Sequence, residues 1–208
     1  MGPTNEMVYI VDDDATIGEA LSSLLRANGK RVRIFTSGRE FLNFERQDDC
    51  ACLILDLRMP GLNGLEVQRS ISAEAGIPVI FITGRGDIQS TVTAMKEGAI
   101  DFLTKPVDEA ALLASIERAL ELDRKLRKKT LEHANLLARY QSLTPREQQV
   151  LPLLVRGLLN KQAAGELGIT EYTVQIHRGH IMRKMEADSF ATLVKLASML
   201  NLEPTNAS

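Results

Sequence analysis

The hydrophobic positions of this chain change period along its length, and the changes mark its elements. Residues 7–11 (MVYIV) form an unbroken apolar run that predicts a buried strand, and three aspartates follow it directly. Ile17, Ala20, Leu21, Leu24 and Leu25 then recur at helical spacing, and Asn28-Gly29 closes that helix. VRIFT (32–36) predicts a second strand, and Ser37 an N-cap for a short helix bearing Phe41 and Leu42. CLILDL (52–57) is apolar almost throughout, as a central parallel strand is. Met59-Pro60-Gly61 breaks the chain before a helix with Leu65, Val67 and Ile71. PVIFIT (78–83) predicts a fourth strand, a helix follows at 87–97, and Ile100–Leu103 makes a short fifth strand ended by Lys105-Pro106. Asp108 then caps a helix with Ala111, Leu112, Ser115, Ile116, Ala119 and Leu120 in register.

Strands alternating with helices imply right-handed crossovers and an α/β fold, a doubly wound five-stranded parallel sheet of flavodoxin-like type. Sites in such sheets lie beyond the carboxyl ends of the strands. Asp12–Asp14, Asp56, Thr83 and Lys105 therefore share one edge.

Beyond residue 120 the pattern turns wholly helical. Residues 121–140 are polar, hold no Gly or Pro, and include the run Arg124-Lys125-Leu126-Arg127-Lys128-Lys129. They fit a solvated extension of the fifth helix serving as a linker, or a coiled coil pairing two copies through Leu122, Leu126, Leu136 and Leu137. Thr144, Pro145 and Glu147 supply an N-cap, a Pro at the first helical position and an acidic third residue. Pro152 inside that helix predicts a kink. Further helices are expected from Asn160, from a Thr170 cap through Lys184, and from a Ser189 cap, with Glu203 to Ser208 frayed. The expected division is a sheet domain over 1–122, a helical linker over 123–141 and an all-α helix-turn-helix domain over 142–208.

Composition adds one thing to this division. The 208 residues carry a net charge of −2 and are 44% hydrophobic, ordinary for a globular chain. Residues 1–120 hold 12 Lys/Arg against 18 Asp/Glu, a balance of −6, whereas 121–208 hold 13 against 9, a balance of +4. A front half suited to cations and a back half suited to a polyanion follow. No run of 18 apolar residues and no signal peptide is visible, so the expected location is the cytoplasm. Cys50 and Cys52 are expected to point to opposite faces of a strand, as small apolar residues without a mutual disulfide or a metal.

Three carboxylates brought together, Asp12, Asp13 and Asp56, repel one another unless a cation sits among them. All-oxygen donors favour Mg²⁺. An aspartate at such an edge can attack phosphorus to give an acyl phosphate, with Lys105 and the Thr83 hydroxyl facing the phosphate oxygens. Taken alone, Asp12–Asp14 would also suit the end of a strand and the cap of the next helix.

The strings VDDD, LILDLRMPGLNGLE, FITG and DFLTKP, within residues 6–122, resemble the receiver domain of two-component response regulators. By that resemblance Asp56 is the phosphoacceptor. Asp12 and Asp13 are the acidic metal pair with Asp13 a direct ligand, and Asp56 and the Arg58 backbone carbonyl complete the protein's share of the Mg²⁺ shell. Thr83 and Phe102 match the paired switch positions, Lys105 the phosphate-contacting lysine, and Lys105-Pro106 a cis bond. Arg58 and Arg85 stand at two positions that vary among receivers, where they either tune the lifetime of the acyl phosphate or serve the surface.

In the segment 170–184, Val174, Ile181 and Met185 mark an inward face, leaving Gln175, Arg178, His180, Arg183 and Lys184 for other contacts. Amides and cations on one helix suit the major groove, where Gln reads adenine, Arg reads guanine and Lys binds phosphate. Residues 142–202 resemble the LuxR-type helix-turn-helix of the NarL/FixJ family: Asn160 and Lys161 match the start of its scaffold helix, and Thr173, Val174 and His177 its recognition-helix signature. Gln175 and Gly179 depart from that pattern, which leaves the base readout open. The expected DNA-facing set is Lys161, Thr173, Gln175, Ile176, Arg178, His180 and Lys184.

The resemblance implies a mechanism. A sensor histidine kinase donates its phosphoryl group to Asp56, Thr83 and Phe102 move, and the surface around the fourth helix, fifth strand and fifth helix is remodelled. A homodimer then binds duplex DNA at an inverted repeat and activates transcription, in one version through RNA polymerase. Two rivals are a haloacid-dehalogenase-type phosphatase, whose second acid two residues after the nucleophile is here Arg58, and a receiver joined to an RNA- or protein-binding helical module.

Overall fold

The structure, a computed structural model, describes residues 6–74, 76–84, 88–200 and 202. These fall into two compact units that meet in sequence between Arg127 and Lys128. In the first, strands β1 (Glu6–Val11), β2 (Arg31–Phe35), β3 (Cys50–Asp56), β4 (Val79–Thr83) and β5 (Asp101–Thr104) form one sheet in the order β2-β1-β3-β4-β5. All pairings are parallel. Helices α1 (Ala15–Ala27), α2 (Gly38–Leu42), α3 (Gly64–Glu74) and α4 (Ile88–Lys96) separate the strands, and α5 begins at Glu109.

The strand alternation sorts the core into two layers. Tyr9, Val11, Leu53, Leu55 and Phe81 face a layer with Phe41, Val67, Ile71 and Ala94 of α2, α3 and α4. Val8, Ile10, Ile54, Ile80 and Ile82 face the opposite layer, with Leu21 and Leu25 of α1 and Leu112, Ile116 and Leu120 of α5. Because both faces are covered, the central strands are apolar between their end residues, which is why their sequence shows no polar alternation.

One expectation is corrected here. Cys50 and Cys52 share a face, both packing on the α1/α5 layer, because residues two apart in a strand point the same way. They remain free thiols, and burial pushes Cys50 up to about 11.

Helix α5 runs without interruption from Glu109 to Gln141. Its middle is fastened to the first unit by polar contacts. The buried Asp123 carboxylate accepts the Ala51 amide at 2.9 Å and Arg127 Nε at 2.6 Å, and Arg127 also pairs with Asp48.

The second unit holds α6 (Pro145–Val155), α7 (Asn160–Leu167), α8 (Glu171–Lys184) and α9 (Phe190–Met199). Thr144 and Glu147 form a reciprocal capping box at α6, and Thr170 and Ser189 cap α8 and α9. Helix α6 continues through Pro152 to Val155. Gly168 ends α7 at φ 64, a left-handed conformation that glycine adopts without steric cost. Leu136, Val150, Leu154, Ala163, Val174, Ile181, Met185 and Leu193 make the core of this unit.

Candidate functional site

Each acidic-edge residue is placed by the end of a strand. Asp12 follows β1 directly, Asp56 ends β3, Thr83 ends β4 and Lys105 follows β5. Asp12 and Thr83 are buried, Asp56 is 6% exposed, and Asp13 is exposed. One oxygen from each of Asp12, Asp13 and Asp56 lies within 4.8 Å of the others. Lys105 Nζ donates to Asp12 Oδ2 at 2.8 Å and stands 3.4 Å from Asp56 Oδ1. Its backbone amide is held by the Thr83 carbonyl at 2.7 Å, and the Lys105-Pro106 peptide is cis. Asp14 does serve as the N-cap of α1, accepting from Thr16 and Ile17, so the capping role and the acidic cluster fall on different residues of the same run.

Burial raises the Asp56 carboxyl above its ordinary 3.8; Lys105 opposes this, while Asp12 and Asp13 add to it. Burial also works against the Lys105 ammonium, but Asp12 and Asp56 outweigh it and leave Lys105 above its usual value. The cluster is thus short of positive charge, and its donors are all hard oxygens, a set that fits Mg²⁺.

Immediately behind β3 stands Gly64, the first residue of α3. A Cβ there would lie 2.5 Å from the Asp56 carbonyl oxygen and 2.9 Å from the Phe81 ring. Phe102 pairs with Phe81 across β4 and β5 and is half-buried against the same layer. Next to it, Asp101 accepts from Ser115 Oγ at 2.5 Å and pairs with Arg118, tying β5 to α5.

In the second unit, α8 buries Val174 and Ile181 and exposes Gln175 and Ile176. Thr173 shares a hydroxyl contact with the Thr170 cap at 2.8 Å. Lys161 is exposed on the first turn of α7, and Arg178 lies over the Phe190 ring at 4.7 Å; the three line one concavity of about 490 Å³. Two residues of the expected DNA-facing set also make contacts within the unit: Lys184 Nζ donates to Glu147 Oε2 at 2.7 Å, and His180 Nδ1 stands 3.4 Å from Glu147 Oε1.

Comparison with known proteins agrees with both halves. Residues 8–117 match the response regulator receiver domain, and residues 141–197 match the luxR family of bacterial regulatory proteins. Response regulator protein TmoT of Ectopseudomonas mendocina is 50% identical over 202 residues, covering 96% of this chain and 91% of TmoT. Transcriptional regulatory protein FixJ of Azorhizobium caulinodans is 38% identical over 205 residues, 98% of this chain and 97% of FixJ. The chain belongs to the FixJ-like response regulators of the NarL family.

Among solved structures, that of response regulator StyR is similar at 48% identity and a TM-score of 0.83, covering 93% of this chain and 98% of StyR. As a FixJ-like response regulator, the protein is a transcriptional regulator of a two-component system. Among the described residues, no helix is long and apolar enough to cross a membrane. Arg85 and the residues from Glu203 onward lie outside the described residues, and Arg58 is exposed.

Sequence reasoning missed three features of this response regulator. Tyr172, 72% exposed on the first turn of α8, was signalled only by an aromatic residue beside a cap. Gly64 behind Asp56 has no local signature, because the crowding comes from β3 and β4. Glu147 was legible as a capping acid, but its hold on α8 was not.

Proposed function

We propose that Asp56 accepts a phosphoryl group from a sensor histidine kinase and that the outcome is sequence-specific binding of duplex DNA by the second unit. The observation that carries this is the buried Asp56 carboxylate, 3.4 Å from Lys105 and clustered with Asp12 and Asp13. An Asp56 carboxylate oxygen attacks phosphorus in line; the P–O bond forms as the P–N bond to the donor imidazole breaks, and the donor ring, already protonated on its other nitrogen, leaves as neutral imidazole. Asp12, Asp13, Asp56 and the Arg58 carbonyl would hold Mg²⁺, which when bound would supply positive charge to the oxygens of the transferring group. Lys105 pairs with the phosphate. The Thr83 hydroxyl donates to it, and Phe102 fills the space that Thr83 leaves.

In this reading 1–122 form the receiver, 123–141 the linker and 142–208 the DNA-binding domain. Lys161, Thr173, Gln175, Ile176 and Arg178 form the DNA-facing set, while His180 and Lys184, which the sequence also offers to DNA, lie against Glu147. Phosphorylation favours a homodimer whose two recognition helices lie about 34 Å apart on an inverted repeat. The regulator works in the cytoplasm, activates transcription through contact with RNA polymerase, and performs no turnover chemistry beyond its own phosphoryl transfer.

The test is incubation of the full chain with Mg²⁺ and acetyl phosphate. A gain of one phosphoryl group, stable in acid and labile in base, is expected in the wild type and absent from Asp56→Asn. An adduct that persists in Asp56→Asn removes the assignment.

A further inference from the structure

An apolar footing and a set of polar ties together fix the recognition helix. Val174 and Ile181 of α8 are buried, Met182 is half-buried against the same core, Met185 is buried just beyond its end, and polar ties add to this footing. Those ties collect at its C-terminal half and converge on one side chain. Glu147, 2% exposed on the first turn of α6, accepts the Thr144 amide at 2.8 Å and Lys184 Nζ at 2.7 Å through Oε2. Its Oε1 faces His180 Nδ1 at 3.4 Å. The same lysine donates to the Ser142 carbonyl at 3.3 Å, and Glu186, just past α8 at φ 52, pairs with Arg139 of α5 at 2.5 Å. The last turn of α5, the first turn of α6 and the last turns of α8 are thereby stitched together.

We infer that Glu147 is a positioning residue for DNA recognition: through Lys184 and His180 it sets the tilt of α8, and these two side chains serve that frame instead of the DNA phosphates. This rests on the reading that α8 enters the DNA, and it assigns His180 and Lys184, which the sequence alone offers to DNA, to that frame. The chemistry favours the frame. A buried carboxylate that loses its cation is left with an uncompensated charge, so Lys184 is held by Glu147 more firmly than by a solvated phosphate. Residues that reach the groove directly are then Gln175, Ile176 and Arg178, together with Tyr172, whose exposure leaves its ring free to pack on the duplex.

The two roles predict different binding behaviour. A lysine on a phosphate contributes equally to specific and nonspecific DNA, and its loss lowers the slope of log K against log salt by about 0.9. A residue that aims the helix contributes to specific binding alone, with the slope unchanged. The probe is a duplex enriched from a random pool by the full wild-type chain treated with acetyl phosphate, set against a scrambled duplex. Lys184→Gln and Glu147→Gln are each expected to lower the specific-to-scrambled affinity ratio by about tenfold. Scrambled-duplex affinity and salt slope stay at wild-type values, and the double variant is no worse than the poorer single one. Lys184→Gln, altering a partly exposed side chain, keeps the test interpretable should Glu147→Gln unfold the unit. A Lys184→Gln slope reduced by about one phosphate, or an unchanged affinity ratio, overturns the inference. Failure of the wild type to enrich any duplex would instead overturn the DNA-binding reading beneath it.

Discussion

Lys105 shares its ammonium between Asp12 and Asp56, and in the proposed function that sharing keeps a buried, crowded carboxylate available as a nucleophile. A hydrogen bond to a charged group contributes about 1.5–3 kcal/mol. Lys105→Met is therefore expected to slow acceptance from acetyl phosphate on the order of tenfold or more, measured as the initial rate of adduct formation. Glu147 carries a pH signature. Burial works to raise its carboxyl, but Lys184 and Thr144 outweigh it and hold the group below its ordinary 4.5. A carboxyl depressed in the folded state adds stability above its unfolded pKa and loses it as pH falls through the folded one. The second unit should accordingly weaken as pH drops below about 4.5, and Glu147→Gln should flatten that slope. Urea midpoints followed on the buried Val174 and Ile181 methyl signals would check it. Asp12, Asp56, Thr83 and Lys105 were legible because a strand end is a sequence feature. The bond from Glu147 to Lys184, 37 residues apart, was not, since it exists only once α6 and α8 have packed.

At the scale of elements, β3 and α3 fit closely against each other. Helix α3 approaches β3 so nearly that Gly64 has no room for a side-chain carbon against the Asp56 carbonyl. Gly64→Ala must displace β3 or the start of α3, and overpacking of this kind costs about 1–3 kcal/mol. A lowered melting temperature together with slower phosphorylation of Asp56 is the expected pair of outcomes; a change in neither would mean that α3 yields freely. The strands were readable as apolar runs and the helices by their caps at Ser37, Thr144, Thr170 and Ser189, because those signals are local. The shared face of Cys50 and Cys52 was misjudged by a simple parity error. The length of α5 followed from its unbroken helical composition, yet its fastening by Asp123 did not, because Ala51 lies 72 residues away.

For the whole molecule, the charge division along the chain matches its division of labour, an acidic front half around a phosphoryl site and a basic back half around a recognition helix. The two could be told apart from sequence because each has its own motif set and period. The seam between them was harder to see, since a single helix runs across it. Asp123 makes that seam consequential for anyone isolating the first unit. A fragment stopping at residue 122 would strip the Ala51 amide of its acceptor at the foot of the very strand that bears Asp56. An orphaned buried donor costs about 1–3 kcal/mol. A fragment carried on to Arg127 should therefore melt several degrees higher than one cut at 122, and equal melting points would show that water takes over the amide. Where the scissors fall, five residues decide how firmly the signalling strand is rooted.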